Sequence, residues 1–135
     1  MALSNNVNEV LTAVLAMAQE ACGKTIYIGP LLPAGGISAF VTSGGPRSTF
    51  FNKGMAYELS IVIEAKEAGA QTAFDELNAI HQSLSQATEY PTGTGWKITN
   101  IETVGTPFYS GRGENSLWIY TSSLLVKFHF FKEEH

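Results

Sequence analysis

The residues of this sequence best suited to acid–base, nucleophilic or metal chemistry are three histidines, His81, His129 and His135, and a single cysteine, Cys22. No two histidines have the H-x-x-x-H spacing that would turn both toward one metal ion. A Ser or Cys nucleophile would need a histidine oriented by a carboxylate, a trio that spacing alone does not place. The histidines therefore read as surface or half-buried side chains. Cys22 follows an apolar helical stretch and reads as a small buried hydrophobe. A lone cysteine excludes an internal disulfide and a thiolate metal cluster. Glu58 and Glu64 share one face of an alternating segment but stand about 20 Å apart at strand rise, too far for a glycosidase pair. Glu64 and Lys66 read as a solvated charge pair. SGGPRS (43–48) lacks the spacing and the lysine–hydroxyl pair of a phosphate-binding loop, and SGRGENS (110–116) leads into a strand. A phosphate cradle needs helix N-terminal amides, which neither stretch supplies. Gly111 and Gly113 instead fit a hairpin turn. These residues predict no catalytic site, no cofactor and no metal, and hence a protein that is not an enzyme.

The elements that must position these residues follow from periodicity. Val7, Val10, Leu11, Val14, Leu15 and Ala18 recur at helical spacing over 6–21, with Asn6 and Glu9 spaced as a capping pair and Gly23 placed to end the helix. TIYI (25–28) and ISAFVT (37–42) read as short strands separated by a Pro- and Gly-rich break. Met55–Lys66 alternates strictly, with Met55, Tyr57, Leu59, Ile61, Ile63 and Ala65 on one face. A second helix follows, with Thr72 and Asp75 as its cap and Phe74, Leu77, Ile80 and Leu84 as its buried stripe. Strands are expected over 96–104 and 117–131, joined by a loop over 105–116. The last strand carries the apolar row Trp118, Tyr120, Leu124, Val126, Phe128 and Phe130, broken at Ser122. At roughly 50 Å it exceeds the about 14 Å radius of gyration of such a domain, so it either bends near 121–123 or projects. The expected fold is one α+β domain over 1–135, with a mainly antiparallel twisted sheet, two helices on one face, and extended arm and loops.

The 135 residues carry a formal net charge of -4 and only 15% charged side chains, against a typical ~25%. The negative balance argues against a footprint for nucleic-acid phosphates. The low charge points to surface hidden by assembly, or to a coat of Ser, Thr, Asn and Gly. No run reaches the ~18 apolar residues of a membrane span, and MALSNNVNEV lacks the pattern of a secretory signal, so a cytoplasmic site of synthesis is expected. In 43–54, Phe50 and Phe51 lie between Arg47 and Lys53. Adjacent side chains of an extended segment point opposite ways, so both phenylalanines cannot easily enter one core. Aromatic anchors flanked by cations suit a protein–protein contact, and 43–54 reads as an arm for a neighbouring chain.

The opening helix, ISAFVTSGG, ELSIVIEAK, TAFDELNAIHQSL, ITNIETVGTPFYSG and the closing LWIYTSSLLVKF together resemble the tail terminator and minor capsid family, the head–tail joining proteins of long-tailed phages. The resemblance covers nearly the whole chain, with Lys66 where that family often carries Arg. It implies a virion protein made in the host cytoplasm that forms a ring, commonly a hexamer. The ring sits on the last disc of the major tail tube protein, stops its polymerisation and presents a surface to the head-side connector, while DNA passes through the lumen. Within it, the arm and the loop 105–115, with Phe108, Tyr109 and Arg112, are expected at subunit or tube contacts. Glu58 and Glu64 are expected to line the lumen. Another head–tail connector component, such as a stopper or adaptor, or a small ligand-binding α+β domain, are the alternatives.

Overall fold

The computed structural model describes residues 2–29, 35–49, 54–93, 95–113 and 116–131, and for 2–7, 43–49, 54–55 and 131 the backbone alone. Helix α1 (Ala2–Cys22) starts a turn earlier than expected. Nothing in its polar opening turn breaks a helix, so Asn6 lies inside α1 and is not its cap. Glu9 is used elsewhere: its Oε1 accepts a hydrogen bond from Trp96 Nε1 at 2.6 Å. Gly23 ends α1 as its position predicts, with φ 73° and its N–H donated to Gln19 O at 2.8 Å. Val10, Val14 and Ala18 are completely buried.

Six strands follow the pattern of alternation: β1 (Ile26–Ile28), β2 (Gly36–Thr49), β3 (Gly54–Glu67), β4 (Thr92–Gly93), β5 (Trp96–Arg112) and β6 (Trp118–Phe131). Their order across the sheet is β1-β2-β3-β6-β5-β4. Strands β1 and β2 run parallel, and every other neighbouring pair is antiparallel, so the sheet is mixed. Strand β6 is central. It pairs with β3 without a register shift from Trp118↔Glu67 to Phe131↔Gly54, and β5 covers its other side. The long strand thus keeps one register with β3 through 121–123 and does not stand uncovered; its own chain flanks it on both sides. Ser122, the gap in its apolar row, is buried with its hydroxyl 3.4 Å from Ile63 O.

Two segments expected to be irregular are strand. Residues 43–49 extend β2 and pair with β3 up to Thr49↔Met55, across register shifts at Val41/Ser43 and Pro46/Ser48. The strongly alternating partner supplies the ladder despite Gly44, Gly45 and Pro46, and a proline on an edge strand forfeits no sheet hydrogen bond when its nitrogen faces outward. Likewise, 105–112 belongs to β5, which accommodates its glycines and Pro107 through shifts at Ile98/Asn100, Thr103/Gly105, Gly105/Phe108 and Tyr109/Gly111. Strand β5 runs on to Arg112, so the stretch between it and β6 is 113–117, and of the described residues there Ser116 is left-handed (φ 60°), whereas Gly111 (φ 154°) serves a shift within β5.

Helix α2 (Ala70–Ser85) begins after Gly69, whose extended backbone caps it with no side-chain bond. Thr72 therefore lies in the first turn, and Asp75 instead accepts a hydrogen bond from Gln71 Nε2 at 2.8 Å. Ala73, Leu77, Ile80 and Leu84 face the sheet, while Phe74 sits half-buried at its margin. Both helices share one core with Leu59, Ile61 and Ile63 of β3, Ile98 and Ile101 of β5, and Leu124, Val126 and Phe128 of β6. Since each strand alternates, the polar half of β3 lies on the opposite, helix-free face, where Glu58, Ser60, Val62 and Glu64 are half-buried and Ser38 and Lys66 are buried.

The narrow turn through β4 holds Trp96 in that core. A Cβ on Gly93 would fall 2.3 Å from the Trp96 ring, which is 5% exposed. Gly93→Ala should expel the indole and lower stability by about 1–3 kcal/mol, the usual cost of overpacking, with a red shift in tryptophan emission. Urea denaturation followed by fluorescence checks this; an unchanged midpoint and spectrum would contradict it.

Candidate assembly interface

The groups with chemical potential are dispersed. His81 is buried between α2 and β5, with Nδ1 2.8 Å from Thr103 Oγ1, while Nε2 is buried without a partner. Burial pulls its pKa down to about 4, which keeps the ring neutral. His129 is half-buried on β6, and His135 lies outside the described residues. Cys22 packs partly buried against the core, and burial pushes its thiol above the usual value, away from thiolate reactivity. Among the described residues no three His, Cys, Asp or Glu side chains gather where a metal could be held, and no helix is long and apolar enough to cross a membrane. Two surface depressions, one beside Tyr90 and Lys97 and one between α1 and Trp96, include neither His81 nor Cys22.

The two glycine-rich stretches hold no cradle. SGGPRS lies wholly within β2, and in the second stretch Arg112 spends its guanidinium locally, with Nη2 2.7 Å and Nε 3.3 Å from Ser116 O. The same guanidinium lies over the Trp118 ring, 4.0 Å from its centroid. Trp118 meets Tyr109 edge-on at 5.6 Å, Tyr109 meets Tyr120 at 5.9 Å, and Tyr120 meets Phe74 at 6.2 Å. Tyr109 and Arg112, expected at contacts, are thus joined in one aromatic–cation ladder. Phe108 stands next to Tyr109 in the extended chain and so points to the other face of the sheet. Arg47 lies on β2 with only its backbone described, and Phe50, Phe51 and Lys53 lie outside the described residues.

Glu58 and Glu64 lie half-buried on the helix-free face. Glu58 is in register with Lys127, and Glu64 Oε2 is 3.2 Å from Thr121 Oγ1, which also lies 2.7 Å from Ser110 Oγ. Lys127 Nζ is 2.8 Å from Glu102 Oε2, so this face mixes both signs of charge. Lys66 is not solvated as expected: it is 7% exposed, and a Cβ on Gly113 would fall 2.4 Å from its Cε. The hairpin tip of β5 and β6 folds over it.

A different set of residues defines the most distinctive surface. Among the described residues, the exposed large apolar side chains are Tyr27, Ile28, Val41, Val104, Phe108 and Tyr109, and all lie along the two opposite edges of the sheet. Ile28 and Val104 are each 65% exposed. On the side of β2 away from β3, β1 pairs only with 37–39; on the side of β5 away from β6, β4 pairs only with 96–97. The backbone groups of the remaining edge residues have no strand beside them among the described residues. Tyr27, Ile28 and Val104 gave no signal in the sequence, because whether a strand lies at an edge depends on strand order, which alternation does not encode.

This architecture has a known counterpart. The fold is shared with a chain of a virion. That chain, from the structure described as the virion of native gene transfer agent (GTA) particle, superposes with a TM-score of 0.54 at 16% sequence identity, over 90% of this chain and 96% of its own length. No protein-family model matches the sequence, and no curated protein does.

The histidine yields a pH prediction. Its folded pKa is lowered from 6.5 to about 4, so the stability due to neutral His81 is fully present above about pH 6.5 and is lost as pH falls toward 4. The difference in unfolding free energy between wild type and His81→Leu should change by on the order of 2–3 kcal/mol across that interval. A pH-independent difference would show that His81 titrates normally.

Proposed function

We propose that this chain is a structural virion protein that joins copies of itself head-to-tail into a ring and acts as a phage tail terminator. The carrying observation is the pair of open, apolar edges on opposite sides of one sheet. The two unlike edges lie at opposite ends of the strand order and are not paired with each other among the described residues, and heterologous contacts of this kind close into rings when the rotation per subunit allows. Strand direction favours the arrangement. Strands β2 and β6 run one way, β3 and β5 the other, so the β2 edge of one copy meets the β5 edge of an identically oriented neighbour antiparallel. The shared fold with a virion chain supports the virion setting. The resemblance of the sequence to tail terminators supplies the rest of the reading: a hexamer seated on the last disc of the tail tube, with one face bound to the tube and the other to the head-side connector. In that ring the helix-free face, with Glu58 and Glu64, borders the DNA path, and residues of 43–54 and 105–115 make subunit or tube contacts.

The test is assembly. Native mass spectrometry of the chain, alone and with its tail tube protein, should show a closed ring. Ile28→Asp and Phe108→Asp, one on each edge, should each weaken subunit association on the order of a hundredfold, the scale of an interface hot spot, with the circular dichroism of the monomer unchanged. Tails made without this protein should be overlong tubes. Free tails of normal length would instead assign it to the head side, and intact rings in both variants would refute the edge contact.

A further inference from the structure

The two open edges of the sheet correspond rung by rung, because β3 and β6 pair across its middle without a register shift. Tyr27 of β1 is paired with Ser38, Ser38 with Glu64, Glu64 with Thr121, and Thr121 with Phe108 of β5. One rung thus joins Tyr27 at one edge to Phe108 at the other. Register partners share a face of the sheet, so both side chains stand on the helix-free face, the face of Glu64. Both are well exposed, at 47% and 54%. The match repeats three residues further along β2. Val41 is paired with Ile61, Ile61 with Leu124, and Leu124 with Thr103, which is followed in the register shift by Val104. At both heights an exposed apolar side chain of one edge has a counterpart on the other.

Strand β1 is a fixed platform for such a contact. Ile26 is buried in the core, its N–H donates to Gln19 Oε1 at 2.9 Å, and Gly29 N–H donates to Ala39 O at 2.9 Å. Just ahead of the strand, Lys24 pairs with Glu67, Nζ to Oε2 at 3.0 Å, and with Glu76. Tyr27 is thus held in place before any partner arrives. In a closed ring every subunit stands at the same height, since a rise at each step would give an open helix. Face continuity adds a second condition, because a slip of one residue turns every side chain to the wrong face. The remaining choices differ by two residues. A slip toward the end of β5 sets Tyr27 opposite Ser110, whose hydroxyl already donates to Ile119 O at 3.1 Å. A slip the other way sets it against the register shift between Gly105 and Phe108. The unslipped register sets aromatic against aromatic, at the Cβ separation of about 5 Å usual for a cross-strand pair. We propose that in the ring Tyr27 of each subunit packs against Phe108 of the next, on the helix-free face, and that this pair sets the register of the joint. The pair rests on the ring reading above and names the two side chains through which its edges meet.

The test is a cross-link that only neighbours can make. Tyr27 and Phe108 lie four strand spacings apart within one subunit, about 19 Å, too far for a disulfide. In a Cys22→Ser background, the Tyr27→Cys/Phe108→Cys variant, oxidised with diamide with and without the tail tube protein, should give a ladder of covalent oligomers ending at the ring on non-reducing gels. Either substitution alone should give no ladder. Tyr27→Cys combined with Ser110→Cys should cross-link about tenfold more slowly or less, because disulfide geometry tolerates little displacement. As a second measurement, Tyr27→Ala and Phe108→Ala should each weaken subunit association on the order of tenfold, and the two together little more than one alone. Rings in native mass spectrometry without a 27–108 cross-link, a 27–110 cross-link formed as fast, or fully additive alanine effects would overturn the pair and leave the ring. Chains that stay monomeric both alone and with the tube protein would overturn the ring reading, and the pair with it.

Discussion

An open sheet leaves a row of backbone hydrogen-bonding groups at each edge, and most of this molecule can be understood from how it handles that constraint. The interior is conventional. Strand β6 lies between β3 and β5, its apolar row meets the alternating row of β3, and two amphipathic helices close one face. Building the sheet this way places the apolar row of β6 at the centre, where the strand is paired on both sides. It also displaces β2 and β5 outward, and the short β1 and β4 screen only three and two of their residues. The low charge of the chain acquires a location in consequence. The exposed apolar residues are not scattered but follow those two edges, while Glu58, Glu64, Glu102 and Lys127 occupy the helix-free face between them.

The edges are open but not indiscriminate. A flat apolar edge would recruit any extended chain, and proteins blunt such edges with prolines and bulges. Both devices are present. Pro46 and the shifts at 41–43 and 46–48 interrupt β2; Pro107 and four shifts interrupt β5. Each irregularity removes donors and acceptors from a simple ladder and increases local twist. What remains on each edge is a short pairing segment beside particular side chains, Tyr27, Ile28 and Val41 on one and Val104, Phe108 and Tyr109 on the other. Such an edge offers an incoming strand fewer regular pairing positions than a flat one.

Much of the fold was legible in the sequence because it rests on periodicity. The alternation from Met55 to Lys66, the stripe of α2 and the apolar row of β6 each correspond to an observed buried face. Gly23 and Ser122 likewise stand where local chemistry placed them. The failures share one physical cause. Gly44, Gly45, Pro46 and Gly105 argue against strand locally, yet each has a register partner on a neighbouring strand, and Pro107 is taken up in the shift between Gly105 and Phe108. Composition also could not distinguish a projecting strand from a central one, since that depends on which strands flank it. Toward the end of β5, Tyr109 and Arg112 were legible as an aromatic and a cation in a glycine-rich connection; Trp118 and Tyr120, which complete their ladder, looked like ordinary core residues. Lys66 was misread because alternation puts it on the polar face, and only the fold of the β5–β6 tip buries it.

The buried polar groups show a second kind of economy. Glu76 and His81 are five residues apart on α2, both inward-facing and both with one polar atom unpartnered. Burial pushes each toward its neutral form, which raises the carboxyl to about 7 and lowers the imidazole to about 4. Their effects on stability then run in opposite directions. The contribution of protonated Glu76 is complete below about pH 4.5 and is lost as pH rises through 7, whereas that of neutral His81 is complete above about 6.5 and is lost as pH falls through 4. Between 4.5 and 6.5 the loss at one offsets the gain at the other, so the helix meets the sheet as an uncharged surface over that interval. Only above it, where His81 no longer changes, does ionisation of Glu76 act unopposed.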